Sequence, residues 1–254
     1  MKSLTHIVKE NFKFKINRDS VTYTVSPKSY DELQKIIIDR YLDENNKKVL
    51  DLTDIDISNV SNLIDNTKGY DNSVFSDEIC PLVETIDVTG WNVSHIDNMN
   101  SLFSGLDKLK RIIGLETWDT SNVKYMECVF NDCSSLITIP GIENWDMRNV
   151  ISTNCMFHKC SNLTKLDLSN WEITKTTIDI GHMFSGCKNL KFVGDISNWD
   201  VSNLLIATAL FRSCIKLKNV GDIKNKWKIP EKTITSFMFK GSAIPLNAED
   251  IQKI

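Results

Sequence analysis

The chain has 254 residues, of which 41% are hydrophobic and 25% charged, a balance typical of a folded globular protein rather than a disordered segment. Its formal net charge is -3, from 30 basic and 33 acidic residues, so no overall positive field attracts nucleic acid or an anionic membrane. We therefore expect neither of these as a partner.

The amino terminus does not have the pattern of an export signal. Its first stretch, MKSLTHIVKENFKFK, carries scattered lysines and lacks the apolar core of a secretory signal. No stretch of the chain approaches the roughly 18 consecutive apolar residues that span a bilayer. We expect a soluble protein without membrane insertion, either cytoplasmic or virion-associated, with surface exposure only by a non-classical route.

The first fifty residues do not repeat and predict a small α+β capping subdomain over residues 1–50. The segment "SLTHIVKENF" (3–12) has the pattern of a short amphipathic helix, and "DSVTYTV" (19–25) alternates like a strand. Residues 26–46 predict a longer helix. Asp31 and Glu32 lie early in that helix, where carboxylates stabilise a helix amino terminus.

Residues 51–81 read as a weakened copy of the repeat that follows them. The hexapeptide "IDISNV" (55–60) has Ile55 where the later copies have Trp. We interpret this region as a degenerate entry coil, with a loop around residues 67–76.

Tryptophan and phenylalanine each recur at a nearly fixed interval over residues 82–246. The six tryptophans lie 27, 27, 26, 28 and 28 residues apart, and the matching phenylalanines lie 27, 27, 27, 27 and 28 apart. They are Trp91, Trp118, Trp145, Trp171, Trp199 and Trp227, with Phe103, Phe130, Phe157, Phe184, Phe211 and Phe239. Such a period is typical of a solenoid, whose units bury their apolar faces against their neighbours. We predict six repeats here and a carboxy-terminal cap at residues 247–254.

Within one unit, the apolar spacing predicts a short helix followed by a short strand. Four apolar residues at i, i+3, i+7 and i+10 would share one helix face. In the second unit they are Val123, Met126, Phe130 and Cys133. In "LTKLDLSNW" (163–171), the polar Asp167 separates Leu166 from Leu168, which is the alternation of a half-buried strand. The fold class is therefore an α/β solenoid of about 27-residue units with a parallel sheet.

The combination "WDTSNV", "MFHKCSNL", "MFSGCKNL" and "LDLSNW" resembles the BspA-type leucine-rich repeat family over about residues 82–246. The resemblance implies a leucine-rich-repeat-like solenoid. Family members often belong to bacterial surfaces and are implicated in adhesion or protein binding. The leader, with "PKSYDEL" directly followed by repeats, also resembles repeat proteins encoded by large bacteriophages of gut bacteria.

The cysteine pattern favours free, buried thiols. Four of the seven cysteines share one repeat position with apolar neighbours, namely Cys133, Cys160, Cys187 and Cys214. Free cysteine is among the most buried residue types. The pairs Cys128 with Cys133 and Cys155 with Cys160 are spaced C-x4-C, whereas closed zinc sites usually have tighter spacing. Thiols in register point the same way rather than at each other, so we also expect no disulfide.

Other candidates for chemistry are weaker, and we expect no enzyme, no metal and no cofactor. The four histidines, His6, His95, His158 and His182, occupy unrelated repeat positions, and none stands in a recognised motif that pairs a base with a nucleophile. Carboxylates that follow tryptophan, such as Asp119 and Asp146, recur once per unit, which is too sparse for a calcium loop. We expect them to accept backbone N–H groups where the chain turns.

The exposed strand face is the remaining candidate site. Two residues after the framework leucine of each unit (valine in the first), the residue type varies from unit to unit. These six positions, called here the strand-face stripe, are Thr85, Arg111, Thr138, Lys165, Phe192 and Asn219. Phe192 is the single apolar member, which makes it the best candidate for a contact anchor, although an exposed apolar residue is also common without function.

Two functions fit this sequence. The first is a protein-protein interaction module that binds an unknown protein through the stripe. The second is a structural or adhesin-like component of a virion or cell surface, attached through the leader. The sequence leaves the partner and the oligomeric state open, and a fold-level resemblance does not decide between the two functions.

Overall fold

The computed structural model describes residues 12–17, 20–43, 48–65, 73–75 and 82–254. From residue 48 onward, the described chain forms a solenoid in which equivalent residues of consecutive coils lie side by side in parallel register. The predicted repeat solenoid is confirmed. Within the described ranges, no helix has the length and apolar character needed to cross a bilayer.

The amino-terminal part contains a hairpin and a helix. Strand β1 (Phe12–Asn17) pairs antiparallel with β2 (Ser20–Val25), and helix α1 (Tyr30–Asp43) follows. The strand expected at residues 19–25 and the helix expected within 26–46 are confirmed. The helix expected at residues 3–12 lies outside the described residues except for Phe12, which begins β1.

Helix α1 contacts the first coil of the solenoid. Leu33 and Ile37 are fully buried and belong to the same core as the repeats. The Arg40 guanidinium donates to both carboxylate oxygens of Asp54, at 2.5 and 3.0 Å, and to the Asp51 carbonyl at 2.6 Å. The helix is thus held by apolar packing and by a bidentate ion pair, the geometry that suits arginine best.

The β-strands of the solenoid are short. Strands β3 (Val49–Asp51), β4 (Thr85–Asp87) and β5 (Arg111–Ile113) form a three-stranded parallel sheet. Further along this edge a single parallel bridge joins Lys165 to Phe192. Helix α2 (Ile223–Lys226) precedes β6 (Lys228–Ile229), which pairs in parallel with β7 (Gln252–Lys253). Three-residue 3-10 helices occur at Leu115–Thr117, Ile142–Asn144 and Ala248–Asp250.

The short helix predicted within each unit is wrong, because consecutive turns take its place. In the second unit, the N–H groups of Cys128 and Phe130 donate to carbonyls of the next coil, at 2.9 Å each. Cys133 N–H instead closes a turn onto Phe130 at 3.1 Å. A left-handed backbone at Cys128 (φ 58°) and Asp132 (φ 61°) is incompatible with an α-helix and allows this alternation. The apolar residues at helical spacing are buried all the same, because the turns also bring them to one side.

The core is built from stacked aromatic rings. Seven phenylalanines, here the phenylalanine column, stack on one another with ring centroids 5.3 to 5.7 Å apart. They are Phe75, Phe103, Phe130, Phe157, Phe184, Phe211 and Phe239. Tryptophans stack alongside, for example Trp118 on Trp145 at 5.9 Å. Phe75 lies in the region that the sequence suggested as a loop, yet it is fully buried and begins the column.

Candidate binding face of the solenoid

The structure aligns members of the strand-face stripe across neighbouring coils. Thr85 in β4 is paired with Arg111 in β5, and Lys165 is bridged to Phe192. The Thr164 N–H donates to the Ile137 carbonyl at 3.0 Å, which places Thr138 and Lys165 in adjacent coils. Thr85 is half-buried, and the other five members of the stripe, including Asn219, are exposed. The register of the coils thus aligns these pairs of stripe residues, whereas binding through the stripe stays a prediction.

Phe192 and Lys165 form a compact pair on this face. Phe192 remains 42% exposed, which is a large solvent contact for an aromatic ring. The Lys165 Nζ lies 5.2 Å from the centroid of that ring, within the range of a cation–π interaction. The pair therefore presents an apolar surface with a fixed positive charge beside it.

A shallow depression adjoins this pair. Its volume is about 530 Å³, and its lining includes Thr138, Pro140, Glu143, Lys165 and Asp167. Two stripe members thus form part of its wall, together with carboxylates of opposite charge.

The position just before each stripe residue is rich in lysine. Lys110, Lys191 and Lys218 occupy it in three coils, and all are exposed. In the first coil the same position is Glu84, whose carboxylate contacts the ammonium groups of Lys48 at 2.8 Å and Lys110 at 2.7 Å. Hydrogen bonds from Lys110 and then Lys48 lower the pKa of Glu84 to about 2. Beyond this end, Arg111, Lys165, Lys191 and Lys218 bring positive charge to the face, and Glu143 and Asp167 bring negative charge to the depression.

Ile137 is a residue of this face that sequence reasoning missed. It lies at the same position as those lysines in its own coil and is 51% exposed. The signal was present in the sequence, since an isoleucine stands where other units carry lysine, glutamate or threonine. With Phe192 it gives the face two apolar points, separated by one intervening coil.

The histidine and aspartate candidates have structural contacts. His158 Nδ1 lies 3.0 Å from Asn131 Oδ1, and burial lowers the pKa of His158. His182 contacts the His158 ring edge-on at 5.9 Å, and His95 Nε2 lies 2.7 Å from the Val60 carbonyl. His6 lies outside the described residues.

The aspartates that follow tryptophan hold turns, as expected from the sequence. Asp119 and Asp146 each accept the N–H two residues onward, at 3.0 Å. The pKa of both carboxyls is lowered, by hydrogen bonds from Ser121 for Asp119 and from Arg148 for Asp146. In the part of the chain that the structure describes, no group of three or more His, Cys, Asp or Glu residues is placed to hold a metal ion.

Together, the uniform interior and the varied face define a class of protein, the repeat solenoid that displays an exposed surface on stacked coils. Within this class, the chain belongs to the family described as "Mycoplasma protein of unknown function, DUF285", whose model matches residues 72–191 and 167–252, more than half of the chain. No curated protein matches it.

Solved structures of bacterial leucine-rich repeat proteins are similar to this chain. A protein from Eubacterium ventriosum is 18% identical, with 80% of this chain and 48% of that chain covered and a TM-score of 0.43. One from T. pallidum is 16% identical, with coverages of 83% and 90% and a TM-score of 0.39. A leucine-rich cell surface protein from Faecalibacterium prausnitzii is also 16% identical, with coverages of 92% and 46% and a TM-score of 0.38. The chain thus spans about half the length of the first and third of these proteins.

Proposed function

We propose that this chain is a non-enzymatic protein-protein interaction module that binds its partner through the strand-face stripe. The observation that carries the proposal is the exposed Phe192 ring with the Lys165 ammonium over it. Aromatic residues are enriched at protein–protein interfaces relative to the rest of the surface. The other stripe members, Thr85, Arg111, Thr138 and Asn219, form the surface around this anchor.

The charged residues and the exposed apolar side chains of the face indicate which kind of partner surface would fit it. Arg111, Lys165 and the flanking lysines favour an acidic surface, because complementary charge speeds encounter and selects the partner. Ile137 and Phe192 are two coils apart, on the order of 10 Å at the usual strand spacing. A partner segment with acidic residues and two apolar side chains at that separation fits the face.

The proposed organisation assigns residues 1–50 to an amino-terminal cap, 51–81 to an entry coil, 82–246 to six repeats of about 27 residues and 247–254 to a carboxy-terminal cap. Support for the first cap comes from α1, which shares the core of the solenoid. Support for the second comes from a capping box between Asn247 and Asp250 and from the pairing of β7 with β6. Ends of solenoids need such covers because one of their faces would otherwise meet water.

The test is a capture experiment with three forms of the chain on a matrix. The first is the wild type, and the second carries Arg111→Ala, Lys165→Ala and Phe192→Ala. The matched control also removes two cations and one exposed apolar residue, through Lys175→Ala, Lys188→Ala and Leu205→Ala. Circular dichroism and thermal melting establish that all three forms are folded.

We expect the wild type and the control to capture one protein from a lysate of the source cells. The stripe variant should not capture it. Binding of that protein should weaken as salt rises, because exposed charges are screened. Equal capture by all three forms would place the binding site elsewhere. If no form captures a protein, the structural or adhesin-like function gains support instead.

A further inference from the structure

The cysteines of the described chain fall into two groups with different surroundings. Four are buried in one column, and each thiol donates to a phenylalanine carbonyl of the preceding coil at 2.9 to 3.0 Å. They are Cys133, Cys160, Cys187 and Cys214. Burial raises the pKa of all four thiols. This group is part of the core and is protected from reagents in solution.

Cys128 and Cys155 form the second group, and both are half-buried. They occupy equivalent positions in neighbouring coils, since Tyr125 bridges Ser152 three residues before them. Adjacent strands lie about 4.8 Å apart, which falls within the roughly 4.4 to 6.8 Å that separates the Cα atoms of a disulfide. The backbone therefore holds the two residues at a distance that a disulfide can bridge. For this one pair, the contact between the side chains replaces the expectation that in-register thiols form no disulfide.

Coil packing does not require cysteine at this position. The same left-handed site holds Ser101, His182, Ala209 and Phe237 in other coils. Cysteine is thus one of several residue types that the site accepts. A serine in the first coil also shows that a cysteine-to-serine exchange fits the local backbone.

The two side chains are in contact. The Cys128 thiol hydrogen-bonds to the Cys155 sulfur, and this bond is the main cause of a lowered pKa at Cys155. Burial and the carboxylates of Asp179 and Glu127 act in the opposite direction. The lowered pKa favours the thiolate form of Cys155.

We propose that Cys128 and Cys155 form a reactive dithiol that a small disulfide such as oxidised glutathione converts to an inter-coil disulfide. In the first step, the Cys155 thiolate attacks the small disulfide, forming a mixed disulfide and releasing one small thiol. In the second step, the Cys128 thiolate attacks Cys155 Sγ and releases the second small thiol. The protein loses two electrons and two protons, and the small disulfide is reduced to two thiols.

The test uses the full chain carrying Cys80→Ser, which removes the cysteine outside the described residues. After incubation in graded mixtures of oxidised and reduced glutathione, intact mass and peptide mapping identify the products. The expected product lacks two hydrogen atoms and links the peptides of Cys128 and Cys155, without bound glutathione. In the Cys128→Ser variant, a glutathione adduct should accumulate on Cys155, because the resolving thiol is missing.

A second readout requires no substitution at the pair. In the reduced, folded protein, alkylation of Cys155 should be at least about tenfold faster than that of Cys133, because thiolate fraction and access control the rate. Three results would overturn the proposal. They are stable glutathione adducts on both cysteines without a cross-link, a disulfide that joins other residues, and no reaction at either thiol while the protein remains folded.

Discussion

The phenylalanine column and the strand-face stripe take one residue each from successive coils, and they differ in how much they vary. Seven column positions all hold phenylalanine, with neighbouring rings 5.3 to 5.7 Å apart. The six stripe positions hold five residue types. The column varies little because each ring must fit between two others, whereas no coil-to-coil contact of this kind restricts the stripe. The difference teaches that stacking fixes the residue type in the interior and leaves the residue types of the face free to vary.

The largest expected effect comes from emptying one site of the column. Phe157 is fully buried between Phe130 and Phe184, at 5.6 and 5.7 Å. Phe157→Ala should lower the free energy of unfolding by about 3 to 5 kcal/mol, through lost burial and the cavity that remains. Urea denaturation measures this change. An equal loss of unfolding free energy in Phe192→Ala would contradict the contrast between the buried column and the exposed stripe.

A smaller loss of stability is expected at a glycine where the backbones of two coils approach closely. Gly141 has φ 89°, and an added Cβ would lie 2.5 Å from the Glu116 Cα. Gly90 has nearly the same φ, 88°, but an added Cβ there would meet only the Thr53 carbonyl oxygen at 3.9 Å. Gly90→Ala should lower the free energy of unfolding by about 1 to 2 kcal/mol, because alanine disfavours a left-handed backbone. Gly141→Ala should lower it clearly more, because the added Cβ would also collide with the neighbouring coil. Equal melting temperatures of the two variants would show that coil spacing adapts to the extra atom.

Single changes in the stripe should leave stability nearly untouched. Arg111 is exposed, so Arg111→Ala should change the free energy of unfolding by no more than about 0.5 kcal/mol. The same variant should still weaken capture of the partner. A loss of stability comparable to that of a column variant would mean that the stripe supports the fold, and urea denaturation decides the point.

The smallest expected effect is the loss, at low pH, of the stability that Glu84 contributes next to the stripe. The pKa of Glu84 is lowered from 4.5 to about 2 by Lys110 and Lys48. A carboxyl with a lowered pKa stabilises the fold above its unfolded value, and this contribution disappears as the pH falls from 4.5 towards 2. The denaturation midpoint of wild type should therefore approach that of Glu84→Gln over this interval. A difference that stays constant with pH would contradict the prediction.

The repeat and its buried positions could be predicted from the sequence because they depend on spacing alone. Leu166 and Leu168 are buried and Asp167 is exposed, as the alternation indicated. The internal helix could not be judged in this way, because helical spacing also suits a succession of turns. The deciding features are the left-handed backbone at Cys128 and Asp132 and the bonds to the next coil, which depend on residues distant in sequence.

Two residues escaped sequence reasoning for different reasons. Phe75 lacks the motif around it, so only its stacking on Phe103, at 5.3 Å, reveals its place in the column. Ile137 stood one position before the stripe and was identified only by its exposure. The register aligns Thr85 with Arg111 and Lys165 with Phe192, and the stripe as a binding site stays a prediction.

The parallel register of the coils also bears on how such a chain changes length. Phe130, Phe157 and Phe184 meet their neighbours at nearly the same spacing, so removal of one whole unit would rejoin equivalent surfaces. Unequal recombination between neighbouring copies of the coding sequence would add or delete a coil without creating an unfamiliar contact. The gene can therefore lengthen or shorten its product in whole steps, and each step inserts or removes one position of the exposed face.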